Sequence, residues 1–226
     1  MFPVLTLDGP SGVGKSSIAL QLADALGWHY LNSGALYRLL ALKLTQPLDV
    51  MAVEQNVERI AAIAQTLDIR FQGQEIYLEE QQVTTQIRAE TMGLLAAQYS
   101  AIAEVRAALL HRQRAFARAP GLVTDGRDMG SVVFPQATFK FYLDAAAEIR
   151  AHRRQAQLKA QGINVTFADL LLDIQRRDQH DRSRSVAPLV VPQGAVVIDT
   201  GHLTQYQVFA AIVEEVRQHY CITGGI

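Results

Sequence analysis

The apolar positions of this 226-residue chain change period several times, and the changes mark its elements. Val4, Leu5 and Leu7 form a short apolar run that meets a glycine-rich turn at once, the pattern of a buried strand. Over residues 16–26, Ile18, Leu22, Ala25 and Leu26 recur at helical spacing, and Gly27 closes the helix. A second short strand is predicted at residues 28–31, and a helix over 34–44 with Asn32 or Ser33 available as its N-cap. Strand, glycine loop and helix together open an α/β fold.

The next stretch has a different character. Residues 50–67 read as a helix, with Val53, Val57, Ile60, Ile63 and Ala64 along one side. Ile69 and Phe71, then Ile76 and Leu78, flank a turn at Gln72, Gly73 and Gln74, and Gln82 and Val83 follow. Alternation about a glycine turn predicts an antiparallel hairpin. Antiparallel pieces between two halves of a βα pattern predict an insertion into a parallel core, at about residues 36–104. A helix over 102–118 leads back to the core, where strands are predicted at 122–125 and 139–144. A basic helix follows over 145–160, ended by Gly162. Helices over 166–180 and 204–219 each open on a capping pair, Thr166 with Asp169 and Thr204 with Gln207, and the last strand is predicted at 195–199. No internal repeat or low-complexity segment interrupts the pattern, and the tail 223–226 is expected to be loose.

Composition narrows the function classes. The chain holds 21 basic and 22 acidic residues, for a formal net charge of −1. That balance argues against nucleic-acid binding through a global positive field and leaves room for a local basic pocket. The lone cysteine, Cys221, cannot form an internal disulfide and reads as an incidental tail residue, compatible with a reducing compartment. No apolar run reaches the ~18 to 20 residues of a membrane span. The first residues lack a basic leader and meet Asp8 early, so a cytoplasmic protein is expected.

Candidate chemistry begins at the first turn. Gly9-Pro10-Ser11-Gly12-Val13-Gly14-Lys15-Ser16 fits G-x-x-x-x-G-K-[ST] in full, with a strand before it and a helix after it. Glycines let backbone N–H groups curl round phosphates, and the following helix aims its positive end at them. Lys15 is expected to reach the β/γ-phosphates of a nucleoside triphosphate and Ser16 to ligate Mg²⁺. The guanine-binding Asn-Lys-x-Asp and the transporter signature Leu-Ser-Gly-Gly-Gln are both absent, which leaves a kinase for a small acceptor. Such an enzyme needs a second anion pocket, because phosphoryl transfer demands that two polyanions be held in line.

Three clusters offer one: Asn32 to Arg38, Asp125 to Gly130 after a buried strand, and Arg176 to Leu189. In the third, Arg177, Asp181 and Arg184 share a helix face if the helix extends that far, while Asp178 and Arg182 read as a solvated i,i+4 ion pair. Asp125, at a strand end, is a candidate ligand of Mg²⁺ through water or a turn-capping aspartate.

Together these segments resemble the bacterial cytidylate kinases, nucleoside-monophosphate kinases. The carriers are Asp8 to Gly12, Ser33 to Arg38, Asp125 to Pro135 and Arg177 to Leu189, so the resemblance covers nearly the whole chain. It implies an α/β P-loop kinase with a five-stranded parallel sheet flanked by helices, an α+β nucleotide-binding insert and a short lid. The expected division of this single domain is a core at about 1–35, 105–148 and 186–226, an insert at about 36–104 and a lid at about 149–164. It implies transfer of the γ-phosphate of ATP to CMP or dCMP with Mg²⁺, by a cytoplasmic monomer that handles no nucleic acid or membrane.

Residue by residue, the resemblance places Gly9, Pro10, Ser11, Gly12, Val13, Gly14, Lys15, Ser16 and Ser17 on ATP. Arg38, Arg127 and Arg184 would hold the acceptor phosphate, Arg177 and Asp181 the ribose, and Ser33 and Tyr37 the nucleotide. Arg106 and Asp128 would read cytosine, since a carboxylate can accept from N4 and a guanidinium can donate to N3 or O2. Lys15, Arg127 and Arg184 are the expected catalytic cations. Around Arg150, His152, Arg153 and Arg154, in the lid region, a solvated basic face is the expected reading for any one arginine. The chain departs from the family pattern at Ala97, where the family has a base-contacting serine; Ser100 or Gln98 is the candidate replacement. A UMP kinase, a kinase for a sugar or cyclic acid, and a non-catalytic nucleotide sensor remain as alternatives.

Overall fold

A computed structural model describes residues 2–45, 56–73 and 75–219. Five parallel strands form the central sheet: β1 (Val4–Asp8), β2 (His29–Asn32), β6 (Leu122–Asp125), β7 (Phe139–Asp144) and β8 (Val196–Asp199). Their spatial order is β2-β6-β1-β7-β8. Leu5 lies between Val123 and Phe139 in register, so β1 sits at the centre. β1 and β6 are buried along their whole length, which is why they read as continuous apolar runs. β8 is an edge, and Val197 on it is 56% exposed.

Helices cover both faces. α1 (Lys15–Leu26) and α8 (Gln205–His219) pack Ile18, Leu22, Val208 and Ile212 against Leu5, Leu7 and Phe141. The opposite face carries Val4, Leu31 and Leu122, covered by α2 (Ser33–Thr45), α4 (Glu90–Ser100) and α5 (Ala103–Ala115). α3 (Val57–Thr66) lies on α5 and is followed by a small antiparallel sheet of β3 (Ile69–Gln72), β4 (Glu75–Leu78) and β5 (Gln81–Gln82). The antiparallel pairing expected from the glycine turn is present, with Phe71 opposite Ile76. α6 (Ala147–Ala160) and α7 (Phe167–Ser183) form a helical pair with a small apolar seam of Ala151, Leu170 and Ile174. No helix among the described residues is long and apolar enough to cross a membrane.

The local signals act as expected. Gly27 ends α1 in the left-handed conformation, φ 64°. Asn32, not Ser33, caps α2, its Oδ1 accepting the Ala35 N–H at 2.9 Å. Thr166 accepts the Asp169 N–H at 3.2 Å, and Thr204 and Gln207 bond reciprocally at 3.2 and 2.9 Å. The second strand begins one residue later than expected, at His29. α4 has no counterpart among the expected helices, because Gly93 and the unbroken run Leu94 to Ala97 mask its period. Its signal is Met92, Ala96 and Tyr99, all buried at i, i+4 and i+7 against α2. Val50, Val53, Gln74, Cys221 and the tail 223–226 lie outside the described residues.

Candidate active site

All five parallel strands end on Asp or Asn: Asp8, Asn32, Asp125, Asp144 and Asp199. Above these ends lies a cleft of about 1270 Å³, where open α/β sheets place their ligands. The loop from Gly9 to Gly14 turns there. Gly9 has φ +144°, and a Cβ on it would lie 2.0 Å from the Leu143 carbonyl oxygen, so the turn admits only glycine. Ser11 through Ser17 line the cleft, and Gly9 and Pro10 do not.

Lys15 is buried, and its Nζ donates to the Pro10 carbonyl at 2.5 Å. Burial, then the nearby Arg127 cation, pulls the ammonium down to about 7; Asp125, Asp181 and Asp8 oppose this. Ser16 Oγ donates to Asp125 Oδ2 at 2.8 Å and accepts from Asn32 Nδ2 at 3.0 Å. The other Asp125 oxygen accepts from the Tyr30 hydroxyl at 2.7 Å. Burial raises the Asp125 carboxyl, with Lys15 and these hydrogen bonds pulling it back. Burial and the Asp125 charge push the Tyr30 phenol above its ordinary range, so it stays a donor. Asn32 heads one of the three expected clusters, whereas Tyr30 is not among the expected residues; its place on β2 beside Asn32 is the signal that points to it.

Facing the loop is a cationic wall. Arg127 Nε donates to Asp181 Oδ2 at 2.6 Å. Burial pushes the Asp181 carboxyl up, but the charge and hydrogen bond of Arg127 outweigh it, so its pKa falls below the ordinary value. Arg184 donates to Ser100 Oγ at 3.4 Å, while its Nε and Nη2 are buried without a partner. Arg38 is fixed by the Ile87 and Ala89 carbonyls at 2.7 and 3.2 Å. Burial, then repulsion from Arg177 and Arg127, lowers its pKa. Arg38, Arg127, Arg177 and Arg184 therefore converge on one cleft, with Asp181 beside Arg127, Arg177 and Arg184, an arrangement suited to a polyanion.

Deeper lie the residues expected to read a base. Arg106 and Asp128 form a buried ion pair, and Arg106 also donates to the Ser100 carbonyl at 3.1 Å. Burial raises the Asp128 carboxyl against the pull of Arg106 and Arg184. The Tyr37 hydroxyl is buried without a partner, and burial pushes its pKa up to about 12. Ala97 and Ser100 both line the cleft, and the Ser100 hydroxyl reaches the Ala97 carbonyl at 2.9 Å. Ser33 lines the cleft too, but its hydroxyl turns inward to Gln113 Oε1 at 2.8 Å. At the other end the lining runs through Thr200 to Gln205, and Arg153 binds the Thr200 hydroxyl at 3.2 Å.

Two sequence expectations are corrected. Arg150 is not on a solvated face; it is 2% exposed. Asp178 does not pair with Arg182 but with Arg150, while Arg182 lies against Tyr142. Helical phase alone does not reveal which of α7's acids turns towards a neighbouring helix.

The sequence model described as cytidylate kinase matches residues 5–218. The chain belongs to the cytidylate kinase family. It is 49% identical over 221 residues to the cytidylate kinase of Edwardsiella ictaluri (strain 93-146), covering 96% of each chain. To that of Yersinia pestis (strain Pestoides F) it is 48% identical over 211 residues, covering 91% of this chain and 90% of the relative. Among solved structures, a shikimate kinase from Bacteroides thetaiotaomicron covers 96% of this chain and 98% of its own, at 12% identity and TM-score 0.47. The fold rests on this chain's own strand pairing. Membership makes this cytidylate kinase homologue a phosphotransferase with a phosphate group as acceptor.

Proposed function

We propose that this cytidylate kinase family member transfers the γ-phosphate of ATP to CMP and dCMP, using the residues of the cleft in the roles their chemistry fits. The observation that carries the reading is the cationic wall of Arg38, Arg127, Arg177 and Arg184 facing the phosphate loop across one cleft. Residues 11–17 and Lys15 take the triphosphate, and the lining at Thr200 to Gln205 takes its base. CMP lies under the insert at about 36–104, its phosphate on Arg38, Arg127 and Arg184 and its ribose on Arg177 and Asp181. Asp128 accepts from cytosine N4, and Arg106 donates to N3 or O2. The unpartnered atoms of Arg184 and Tyr37 are satisfied by the nucleotide.

An oxygen of the acceptor phosphate, ionised near pH 7 with a second pKa of about 6, attacks the γ-phosphorus in line. The new P–O bond forms as the bond to the β,γ-bridging oxygen breaks, and ADP leaves. Lys15, Arg127 and Arg184 stabilise charge on the transferred group, and the lid at about 149–164 excludes water. Mg²⁺ fits the Ser16 hydroxyl and, through water, the buried Asp125 carboxylate, both hard oxygen donors. Among the described residues no cluster of His, Cys, Asp or Glu would cage a metal, so the other ligands would be phosphate oxygens and water. When bound, the ion neutralises phosphate charge. The reading carries with it a cytoplasmic monomer.

The test measures ADP formation from ATP and Mg²⁺ with CMP, dCMP, UMP, AMP and GMP offered separately. CMP and dCMP are expected to accelerate it; ATP binding without acceleration by any monophosphate would make the chain a sensor instead. Arg184→Ala is expected to lower kcat/KM by roughly 10²-fold or more.

A further inference from the structure

Arg150 does not line the cleft, yet its guanidinium joins three elements. Nε donates to the Ala145 carbonyl at 2.9 Å. Nη1 donates to the Ser11 carbonyl at 3.1 Å and to Asp178 Oδ1 at 3.0 Å, and Nη2 donates to Asp178 Oδ2. The stem lies over the phosphate loop, where a Cβ on Gly12 would meet the Arg150 Cβ at 3.4 Å. Both partners of the ion pair are buried and line a separate small cavity of about 660 Å³ behind α7.

Each contact has a consequence inside the cleft. A trans peptide points its C=O and N–H in opposite directions. Fixing the Ser11 carbonyl on Arg150 therefore turns the Gly12 N–H the other way, and Gly12 lines the cleft. On α7, Asp178 follows Arg177 and precedes Asp181 by three residues, and both of these line the cleft. Arg184 caps the same helix. One planar fork thus sets the phosphate loop and the acceptor-side helix relative to each other.

A buried ion pair is a weak way to hold two helices together, because desolvation consumes most of its attraction and apolar side chains of similar volume do as well. What the fork adds is direction: a bidentate guanidinium–carboxylate contact specifies angle as well as distance. Phosphoryl transfer rewards that, since a misplacement of about 1 Å costs on the order of 10² in rate.

We propose that the Arg150–Asp178 pair is a positioning device that registers α7, with Arg177, Asp181 and Arg184, against the phosphate loop. The inference rests on the donor and acceptor sides assigned above. The parent's CMP-dependent ADP formation tests that assignment separately, since its absence removes the assignment before any variant is compared.

Two variants test the pair. Arg150→Met with Asp178→Leu removes both charges and keeps an apolar contact. It is expected to melt within a few degrees of the parent, while kcat falls roughly 30-fold or more and KM for CMP rises several-fold. Arg150→Lys keeps the charge but cannot span three acceptors, and is expected to lose roughly tenfold in kcat with ATP still bound in calorimetry. A folded double variant working within about threefold of the parent would show that the pair serves stability alone and overturn the proposal. If the double variant does not fold, Arg150→Lys decides: kcat equal to the parent's overturns the proposal, and the tenfold loss supports it.

Discussion

Asp8 grips the backbone of Gly130: its Oδ2 accepts the Gly130 N–H at 2.7 Å, and its other oxygen accepts the Met129 N–H at 2.8 Å. These amides begin a π-helical turn over Met129–Val133, in which the Val133 N–H reaches the Asp128 carbonyl at 3.1 Å. Such wide turns recur at functional sites. Here the turn follows directly on Arg127 and Asp128. Asp8 itself precedes Gly9, so one residue holds the acceptor wall by its side chain and the phosphate loop by its backbone.

Burial raises the Asp8 carboxyl from 3.8 to about 6, the two amides only partly opposing it. In the window between these values the folded state binds more protons than the unfolded one, so stability falls as pH rises from about 4 to 6. At pH 7 the ionised group costs on the order of 3 kcal/mol, from the 3.8 and 6 endpoints at about 1.4 kcal/mol per unit. Asp8→Asn removes that cost and leaves one amide facing a donor, a loss of about 1–3 kcal/mol. The variant is expected to match the parent's stability at pH 7, to lose the fall between pH 4 and 6, and to turn over more slowly. Thermal melts across pH and steady-state assays check it; a stability slope unchanged by the substitution would remove Asp8 as its source.

Gly93 lies against Arg38. A Cβ there would sit 2.9 Å from Arg38 Nη2, the far end of a flexible side chain. Gly93 is inside α4, where Ala is favoured over Gly by roughly 0.5–1 kcal/mol. Gly93→Ala is therefore expected to raise the melting temperature slightly while raising KM for CMP several-fold, with KM for ATP unchanged. Parallel melts and two-substrate kinetics distinguish this from a general loss.

Lys15 carries a pH signature. Its ammonium, held down to about 7 by burial and Arg127, deprotonates as pH rises through that value in the free protein. Phosphate oxygens favour the charged form, so ATP binding at pH 8 is expected to take up a fraction of a proton, and affinity to weaken towards alkaline pH. Calorimetry in two buffers of different ionisation enthalpy measures the uptake. In Lys15→Met the uptake should vanish.

Asp128→Asn tests base reading. Asn can accept from cytosine N4 through its carbonyl and donate to uracil O4 through its amide, so the kcat/KM ratio of CMP to UMP is expected to fall by roughly tenfold or more. The ratio is taken on one protein preparation, so any destabilisation from leaving Arg106 without its anion cancels. An unchanged ratio would move base selection away from Asp128.

Much of this protein is legible along the chain because its physics is local. Buried parallel strands appear as apolar runs at Val4 to Leu7 and Leu122 to Val123, and caps at Thr166 and Thr204 mark helix starts within four residues. The phosphate loop is contiguous because adjacent amides must curl round one ligand. Arg38, Arg127, Arg177 and Arg184 were each found beside a recognisable segment, although they are far apart in the chain. What only the tertiary structure decided is who faces whom. Asp178 has Arg182 at helical spacing but pairs with Arg150, 28 residues away. Asp8 is an ordinary strand-end acid until the fold sets Gly130 beside it, and the Ser33 hydroxyl, at the cleft, is engaged by Gln113, 80 residues away. Such pairings are set by how helices and strands seat on the sheet, and burial then enforces them, since a polar group out of water must find its partner wherever the fold has placed one.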